Sequence, residues 1–384
     1  MNSGEMIFYL IRSAISGDKL TDISGIDWDK LYSTAQAHSI ANLIAYAIDN
    51  MEDKPPQNVI RAFNSVRDMN IMRESSQQLE AEQMLDMMEA EGVDNMPLKG
   101  FITKNLYPSP DMRTMCDVDV LIRDGCMDKA EKIMQELGYP VREESAREVV
   151  YKRPPYLSFE LHRAFVSEKY QKTVFDYYKN IWDKAVLAAG KKHSYELTKE
   201  DFYIYMIVHI SKHYLTGGIG IRAFLDVYIY LEKYAEELDR EYIDNEFRKI
   251  KLLEFCKNTE KLAYVWFAGQ EHDTATAHME EYVLSGGTYG SKLYGDAAYA
   301  LCEGGTKHSG FKKKLNVIFP PYKNMCYLYP GLRGKAILLP FYWVYRVIDR
   351  FINKRNNIKA ALTYTATEKD VDNLKLHLNE VGLI

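Results

Sequence analysis

Residues 116 to 122 of this 384-residue chain read Cys-Asp-Val-Asp-Val-Leu-Ile. The alternation of acidic and β-branched residues predicts a β-strand, in which successive side chains point to opposite faces. Asp117 and Asp119 then project from one face, and Val118 and Val120 project from the other. Adjacent carboxylates repel each other, and Mg²⁺, which prefers oxygen ligands, relieves that repulsion. The alternative is a solvated strand edge that carries two unrelated acids.

Upstream of this strand lie residues suited to binding phosphate. Lys99 and Gly100 begin a predicted helix, and a helix N-terminus that contains a glycine is a natural phosphate seat. Arg113 precedes Asp117 by four residues, so its guanidinium is expected within reach of a phosphate.

Downstream, two further strands are predicted at Glu148–Lys152 and Leu157–His162. Glu160 lies among apolar residues in the second strand. It is a candidate third carboxylate that faces Asp117 and Asp119. Its alternative role is that of a partner for a nearby Arg or Lys.

The rest of the chain has a mainly helical pattern. Gln57 to Glu91 contain no Gly or Pro, which predicts a long helix, and helical patterns resume near Thr198. We therefore expect an α+β protein with a small mixed-sheet core between two helical regions. The expected segments are an N-terminal helical region (1–92), an α/β core (93–195), a C-terminal helical domain (196–305), and a basic aromatic tail with a terminal helix (306–384).

His209 and His213 are four residues apart and so share one face of a predicted helix. That spacing suits a metal ion, but no third ligand motif accompanies it. The other interpretations are contact with a nucleotide or acceptor in a cleft, and ordinary hydrogen bonding between helices.

The tail is strongly basic. Residues 307 to 360 contain Asp349 as their single acid and twelve basic residues: Lys307, Lys312, Lys313, Lys314, Lys323, Arg333, Lys335, Arg346, Arg350, Lys354, Arg355 and Lys359. Interleaved aromatic residues are typical of a segment that lies on an anionic membrane surface. The alternatives are a nucleic-acid contact and a basic cap on the helical domain.

Composition limits the classes of function. The net charge of -5 argues against nucleic acid as a general partner. The five cysteines are scattered without a C-x-x-C motif, which favours a reducing, cytoplasmic location over a disulfide framework. The N-terminus lacks the basic leader and the apolar run of a signal peptide.

Several motifs together resemble those of a known protein family. They are Leu98-Lys99-Gly100, Leu106-Tyr107-Pro108, Arg113, Asp117-Val118-Asp119, Leu137-Gly138-Tyr139 and Glu160-Leu161-His162. In order and spacing they resemble the uncharacterised bacterial nucleotidyltransferase family of the polymerase-β-like nucleotidyltransferase superfamily. His209-x-x-x-His213 and the glycine pairs at 217–218 and 286–287 are similar to further features of that family.

The resemblance implies a mixed sheet covered by helices, with Asp117 and Asp119 as ligands of Mg²⁺ or Mn²⁺. It also implies transfer of a nucleoside monophosphate from a nucleoside triphosphate, such as ATP, to an acceptor, with release of pyrophosphate. The acceptor is unknown. One departure is Lys99-Gly100, where the superfamily usually has Gly-Ser or Gly-Gly. Either Lys99 supplies charge for the triphosphate, or triphosphate binding is weakened.

Three hypotheses follow: a Mg²⁺-dependent nucleotidyltransferase, a nucleotide- or ligand-binding module without catalysis, and a membrane-surface scaffold in an envelope or polysaccharide pathway. The first assigns catalysis and metal binding to Asp117, Asp119 and Glu160. It assigns nucleotide binding to six further residues: Lys99, Gly100, Arg113, His162, His209 and His213.

Overall fold

The computed structural model describes residues 3–21, 25–145, 147–155, 157–166, 171–288, 290–302, 318–353 and 366–384. Sixteen α-helices lie within these ranges. They are α1 (Ser3–Ser16), α2 (Trp28–Ala37), α3 (Ala41–Asp49), α4 (Gln57–Ala90), α5 (Gly100–Thr103), α6 (Met127–Glu136), α7 (Lys172–Tyr178), α8 (Lys199–Leu215), α9 (Ile221–Tyr234), α10 (Arg240–Ile250), α11 (Leu253–Ala268), α12 (Thr274–Leu284), α13 (Lys292–Cys302), α14 (Tyr322–Leu328), α15 (Leu339–Asn353) and α16 (Glu368–Glu380). Short 3₁₀ turns follow α5 and precede α15.

The strands form one five-stranded sheet and one two-stranded sheet. They are β1 (Asn95–Pro97), β2 (Val118–Ile122), β3 (Val141–Glu144), β4 (Glu148–Arg153), β5 (Leu157–His162), β6 (Ala185–Leu187) and β7 (Tyr195–Leu197). The large sheet has the order β1-β2-β5-β4-β3; β2 and β5 run parallel, and its other neighbours pair antiparallel. The expected α+β class, with helical regions at both ends of a small mixed sheet, is confirmed.

Alternation along β2 and β5 gives the sheet two different faces. Val118, Val120, Phe159 and Leu161 are fully buried on one face, where they pack against α4 and α6. The intervening residues, including the acids, point to the opposite face. The apolar face thus packs the sheet against the helices, and the polar face carries the candidate site residues.

Helix α4 spans 34 residues and links the two hydrophobic clusters of the described chain. Met84 and Met88 belong to the cluster beneath the sheet. Phe63, near the other end of the helix, belongs to the larger helical cluster. Pro55 and Pro56 precede the helix, and Gly92 follows it with φ +68°, a conformation that glycine adopts without strain.

The helices from the two ends of the chain share one buried cluster. Phe8 of α1 stacks on Trp266 of α11 with ring centroids 4.5 Å apart. Arg12 Nε also donates to the Trp266 carbonyl at 2.9 Å. The N-terminal helices therefore pack directly on the C-terminal ones. The boundaries of the four segments expected from the sequence stay a prediction.

Two glycine-rich loops pack backbone against backbone. A Cβ atom on Gly290 would lie 2.0 Å from the Gly217 carbonyl oxygen, and one on Gly218 would lie 2.9 Å from the Gly290 Cα. Only glycine permits this approach. The segment from Gly286 thus contacts the end of α8 as a structural turn.

Much of the basic tail, including Lys307, Lys312 and Lys354, lies outside the described residues. Its described part contains α14 and α15. Helix α14 lies against β3, and the Arg333 guanidinium bonds to Glu144 of that strand at 2.5 Å. Within the described ranges, no helix combines the length and the apolar character that crossing a membrane requires.

Candidate active site

The parallel pairing of β2 with β5 brings the acids together. Asp119 and Glu160 are register partners on these two strands, so their side chains leave the same face of the sheet. His162 lies two residues beyond Glu160, and Glu148 of β4 pairs opposite His162. Asp117 immediately precedes β2. Residues from three strands, namely Asp119, Glu160, His162 and Glu148, therefore lie on one polar face of the sheet.

Asp119 is almost fully buried and accepts two strong hydrogen bonds. Lys99 Nζ donates to its Oδ1 at 2.5 Å, and His162 Nε2 lies 2.6 Å from the same oxygen. Burial alone would raise the pKa of Asp119, but the Lys99 charge and the His162 hydrogen bond outweigh it and hold that pKa well below its usual range. Asp119 is therefore ionised at neutral pH.

The pKa values of the neighbouring carboxyl groups are shifted upward. Burial, followed by repulsion from Asp117 and Asp119, raises the pKa of Glu160 to about 7. Burial and repulsion from Asp119 also raise the pKa of Asp117. Ionising Asp117, Asp119 and Glu160 together is therefore unfavourable without a further positive charge, and a bound cation would relieve that repulsion.

Asp119, Glu160 and His162 fit a divalent ion. Each offers one ligand atom, and these atoms lie within 4.8 Å of one another. The two carboxylates suit Mg²⁺ and Mn²⁺, whereas an imidazole ligand is more typical of softer ions such as Zn²⁺. Asp117 lines the same cavity and supplies a further carboxylate. Because a ligating imidazole must be neutral, His162 would release its proton to bind a metal.

His162 links the cluster to β4. Its Nδ1 lies 3.1 Å from Glu148 Oε2. Burial opposes the protonated ring, yet hydrogen bonds to Asp119 and Glu148 raise the pKa of His162. The expected nucleotide-binding role of His162 stays a prediction; the structure places this residue among the carboxylates.

Gly100 and Arg113 occupy a tight corner of the cavity. A Cβ atom on Gly100 would lie 2.0 Å from Arg113 Nη1, so glycine leaves room for the guanidinium. Helix α5, which begins at Gly100, has only four residues and offers little helix dipole for a phosphate. Lys99 adopts φ +47°, which directs the chain sharply from β1 into this turn.

Arg113 is itself held by a carboxylate. Its Nε and Nη2 donate to the two Asp226 oxygens at 2.8 and 2.7 Å, and Tyr107 donates to Asp226 Oδ1 at 2.7 Å. Arg222, one helical turn before Asp226, instead donates to the Thr114 carbonyl. Arg113 thus lines the cavity as part of a buried ion pair, and its expected phosphate contact stays a prediction.

Helices α8 and α9 form the opposite wall of a cavity of about 360 Å³. The His209 and His213 rings lie 4.5 Å apart, and burial lowers the pKa of both, that of His213 to about 4. Both imidazoles are therefore neutral at physiological pH. Both line the cavity, and their contact with a nucleotide stays a prediction. Among the described residues, no cluster of potential metal ligands includes them.

Sequence reasoning missed the chemistry of Lys212, which lies between these histidines and faces the same cavity. Burial, then repulsion from Arg147 and Lys99, lowers the pKa of Lys212 to about 8. Within the described chain, its amine makes no hydrogen bond or ion pair. The sequence does not single out Glu148, because its role depends on strand pairing. It marks Asp226, four residues after Arg222, only as a candidate supporting residue, because the contact of Asp226 with Arg113 joins distant segments.

One known protein family is similar to this chain over nearly all of the cavity lining. The model of a family described as "Uncharacterised nucleotidyltransferase" matches residues 24–268. This range includes both walls of the cavity except for Thr288. The searches of curated proteins and of solved structures returned no match. Because the match spans more than half of the chain, this protein belongs to the family of uncharacterised nucleotidyltransferases.

Proposed function

We propose that the protein is a Mg²⁺-dependent enzyme of the polymerase-β-like type, with Mn²⁺ as the alternative ion. It transfers a nucleoside monophosphate from a nucleoside triphosphate, with ATP the first to test, to an acceptor and releases pyrophosphate. The observation that carries this proposal is the pairing of Asp119 with Glu160 on a sheet face opposite Lys212, whose amine has no partner among the described residues. A carboxylate wall and a cationic wall suit a metal–polyphosphate ligand.

The residues take distinct roles in this proposal. Asp117, Asp119 and Glu160 hold the ion, which when bound neutralises charge that develops on the α-phosphate. Lys99 holds Asp119 ionised and oriented. Glu160, with a pKa of about 7, is suited either to ligate the ion or to accept the acceptor's proton.

Lys212 is the candidate for gripping the polyphosphate. An unpaired amine in a buried cavity is costly, and an anion that binds there offsets the cost. Lys99, Arg147, Asp119 and Glu148 are the charged groups that shift its pKa. Lys99 and Arg147 already have carboxylate partners, so Lys212 remains for a ligand.

Lys212→Met should weaken binding of Mg²⁺–nucleotide about 10- to 100-fold, because a charge-assisted hydrogen bond is lost. In the wild type, affinity should be highest below pH 8 and fall as the amine loses its proton above about 8. Lys212→Arg should retain the affinity and remove that pH dependence, since arginine stays charged. Calorimetry between pH 6.5 and 9.5 measures both effects, and equal binding by Lys212→Met would exclude this role.

Direct assay tests the whole proposal. The protein is incubated with each α-labelled nucleoside triphosphate, Mg²⁺ and a cell extract, and both label transfer and pyrophosphate are measured. We expect transfer with one nucleotide, its loss on chelation by EDTA, and its recovery with excess Mg²⁺ or Mn²⁺. If no nucleotide binds in calorimetry and none is transferred, the proposal is wrong.

A second candidate is a nucleotide-binding module without catalysis. It is favoured by the contacts of Asp119, whose Oδ1 is engaged by both Lys99 and His162. If those bonds persist when nucleotide is present, Asp119 is less available to a metal. Nucleotide binding without pyrophosphate release in any extract would support this candidate, and release would exclude it.

We further propose a cytoplasmic location and an acceptor other than nucleic acid. The scattered cysteines and the net charge of -5 support these two points. The acceptor remains one of four classes: a small molecule, a sugar, a peptide or a protein. Mass spectrometry of the labelled product in the same assay would identify it.

A further inference from the structure

Helix α15 and the turn before it leave large apolar side chains in solvent. Ile337 is 86% exposed, Phe341 is 72% exposed and Val344 is 60% exposed. Tyr345 and Ile348 are also more than half exposed. Single exposed apolar residues are ordinary on a protein surface, but five within twelve residues form a patch that requires a covering partner.

The helical members of this patch form one stripe. Phe341, Val344, Tyr345 and Ile348 follow the spacing i, i+3, i+4 and i+7, which places them on one side of a helix. We call them, together with Ile337, the α15 stripe.

The other side of α15 is well anchored. Trp343 Nε1 donates to the Pro320 carbonyl at 2.8 Å, and the Tyr342 ring lies 5.4 Å from that of Tyr329. Arg346 is buried on this side. The α15 stripe is therefore presented by a packed helix.

The charge around the stripe indicates what covers it. In sequence, residues 318 to 353 contain one acid, Asp349, and five basic residues: Lys323, Arg333, Lys335, Arg346 and Arg350. Of these, Arg333 pairs with Glu144, and Arg346 is buried on the anchored side of α15. Lys335 is exposed and directly precedes the turn that contains Ile337. An apolar stripe with aromatic members, an exposed lysine at one end and a net basic sequence matches the boundary between anionic headgroups and acyl chains.

We propose that the α15 stripe binds an anionic membrane surface. Phe341, Val344 and Ile348 enter the boundary between headgroups and acyl chains, and Lys335 faces the lipid phosphates. The stripe lies outside the residues that the family model matches, and Arg333 connects its neighbourhood to Glu144 of β3. Binding would hold the catalytic sheet next to the bilayer.

Flotation of the full-length chain with vesicles tests this proposal. One vesicle preparation contains phosphatidylglycerol in phosphatidylcholine, and the other contains phosphatidylcholine alone. We expect the wild type to float with the anionic vesicles at low salt and less so at high salt. Phe341→Ser/Val344→Ser should lower the partition coefficient about 10-fold or more, and Lys335→Glu should lower it for anionic vesicles.

Leu79→Ser and Leu376→Ser are matched controls, because these leucines are 67% and 70% exposed on other helices. Both controls should float like the wild type, and thermal melting should show that every variant is folded. Equal flotation of the double variant, or failure of the wild type to float, would overturn the proposal. Light scattering tests whether the stripe is instead a dimer interface. If the wild type does not float but forms a dimer that the double variant abolishes, the α15 stripe binds a second copy of the chain.

Discussion

Asp117→Asn and Asp119→Asn should each slow nucleotidyl transfer about 1,000-fold, yet they should change the free energy of unfolding differently. The loss of rate follows because each removes a carboxylate charge that positions a metal, an effect of several kcal/mol. Asp119→Asn also leaves Lys99 and His162 without their buried anion, which should cost about 3 kcal/mol of stability. Asp117→Asn removes repulsion from Asp119, so stability should be unchanged or higher.

The measurements are initial rates of pyrophosphate release and urea unfolding of each variant at pH 7. Asp124→Asn is the control, because Asp124 is an exposed acid just beyond the same strand, and it should change neither quantity. Transfer at the wild-type rate by both site variants would mean that the active centre lies elsewhere. A stability loss in Asp117→Asn equal to that in Asp119→Asn would contradict the charge assignment.

Asp226→Ala should lower the free energy of unfolding by about 3 to 5 kcal/mol, because it leaves a buried guanidinium without its anion. Arg113 and Asp226 are both largely buried, and the Tyr107 hydroxyl loses its acceptor as well. We also expect slower transfer, since Arg113 lies against Gly100 beside the cavity.

Urea unfolding measures this effect, and Asp49→Ala is a suitable control. Asp49 pairs with Arg67 at an exposed site, so its loss should cost only about 0.5 kcal/mol. Arg113→Met/Asp226→Leu should recover most of the stability, because an apolar pair replaces the ion pair. Equal losses for Asp226→Ala and Asp49→Ala would show that the buried pair contributes no more than a surface pair.

The sequence was informative wherever structure depends on local periodicity. The alternation in 116–122 predicted a strand that the structure begins at Val118, and the absence of Gly and Pro from Gln57 onward predicted α4 within one residue. Glu160 was placed in a strand correctly. Its alignment with Asp119 depends on the parallel pairing of two strands, which no local pattern encodes.

The rest of the site depends on contacts between distant segments. Lys212 lines the cavity because α8 lies across from the sheet. The sequence gives no local sign of this burial, since the residue is simply a lysine between two histidines. The contact of Asp226 is equally hidden from local sequence. Asp226 follows Arg222 by four residues, a spacing that favours a pair within one helix, whereas the structure pairs it with Arg113, 113 residues earlier in the chain.

The stacking of Phe8 on Trp266 has a consequence for protein synthesis. Helix α1 is synthesised well before the helix on which it packs, since Arg12 and the Trp266 carbonyl that it contacts are 254 residues apart. At usual rates of translation, that interval is roughly 10 to 50 s. The residues beneath the sheet lie between Ala81 and Leu161 and can assemble during this time. Until Trp266 emerges, the apolar face of α1 lacks this partner and is open to chaperones.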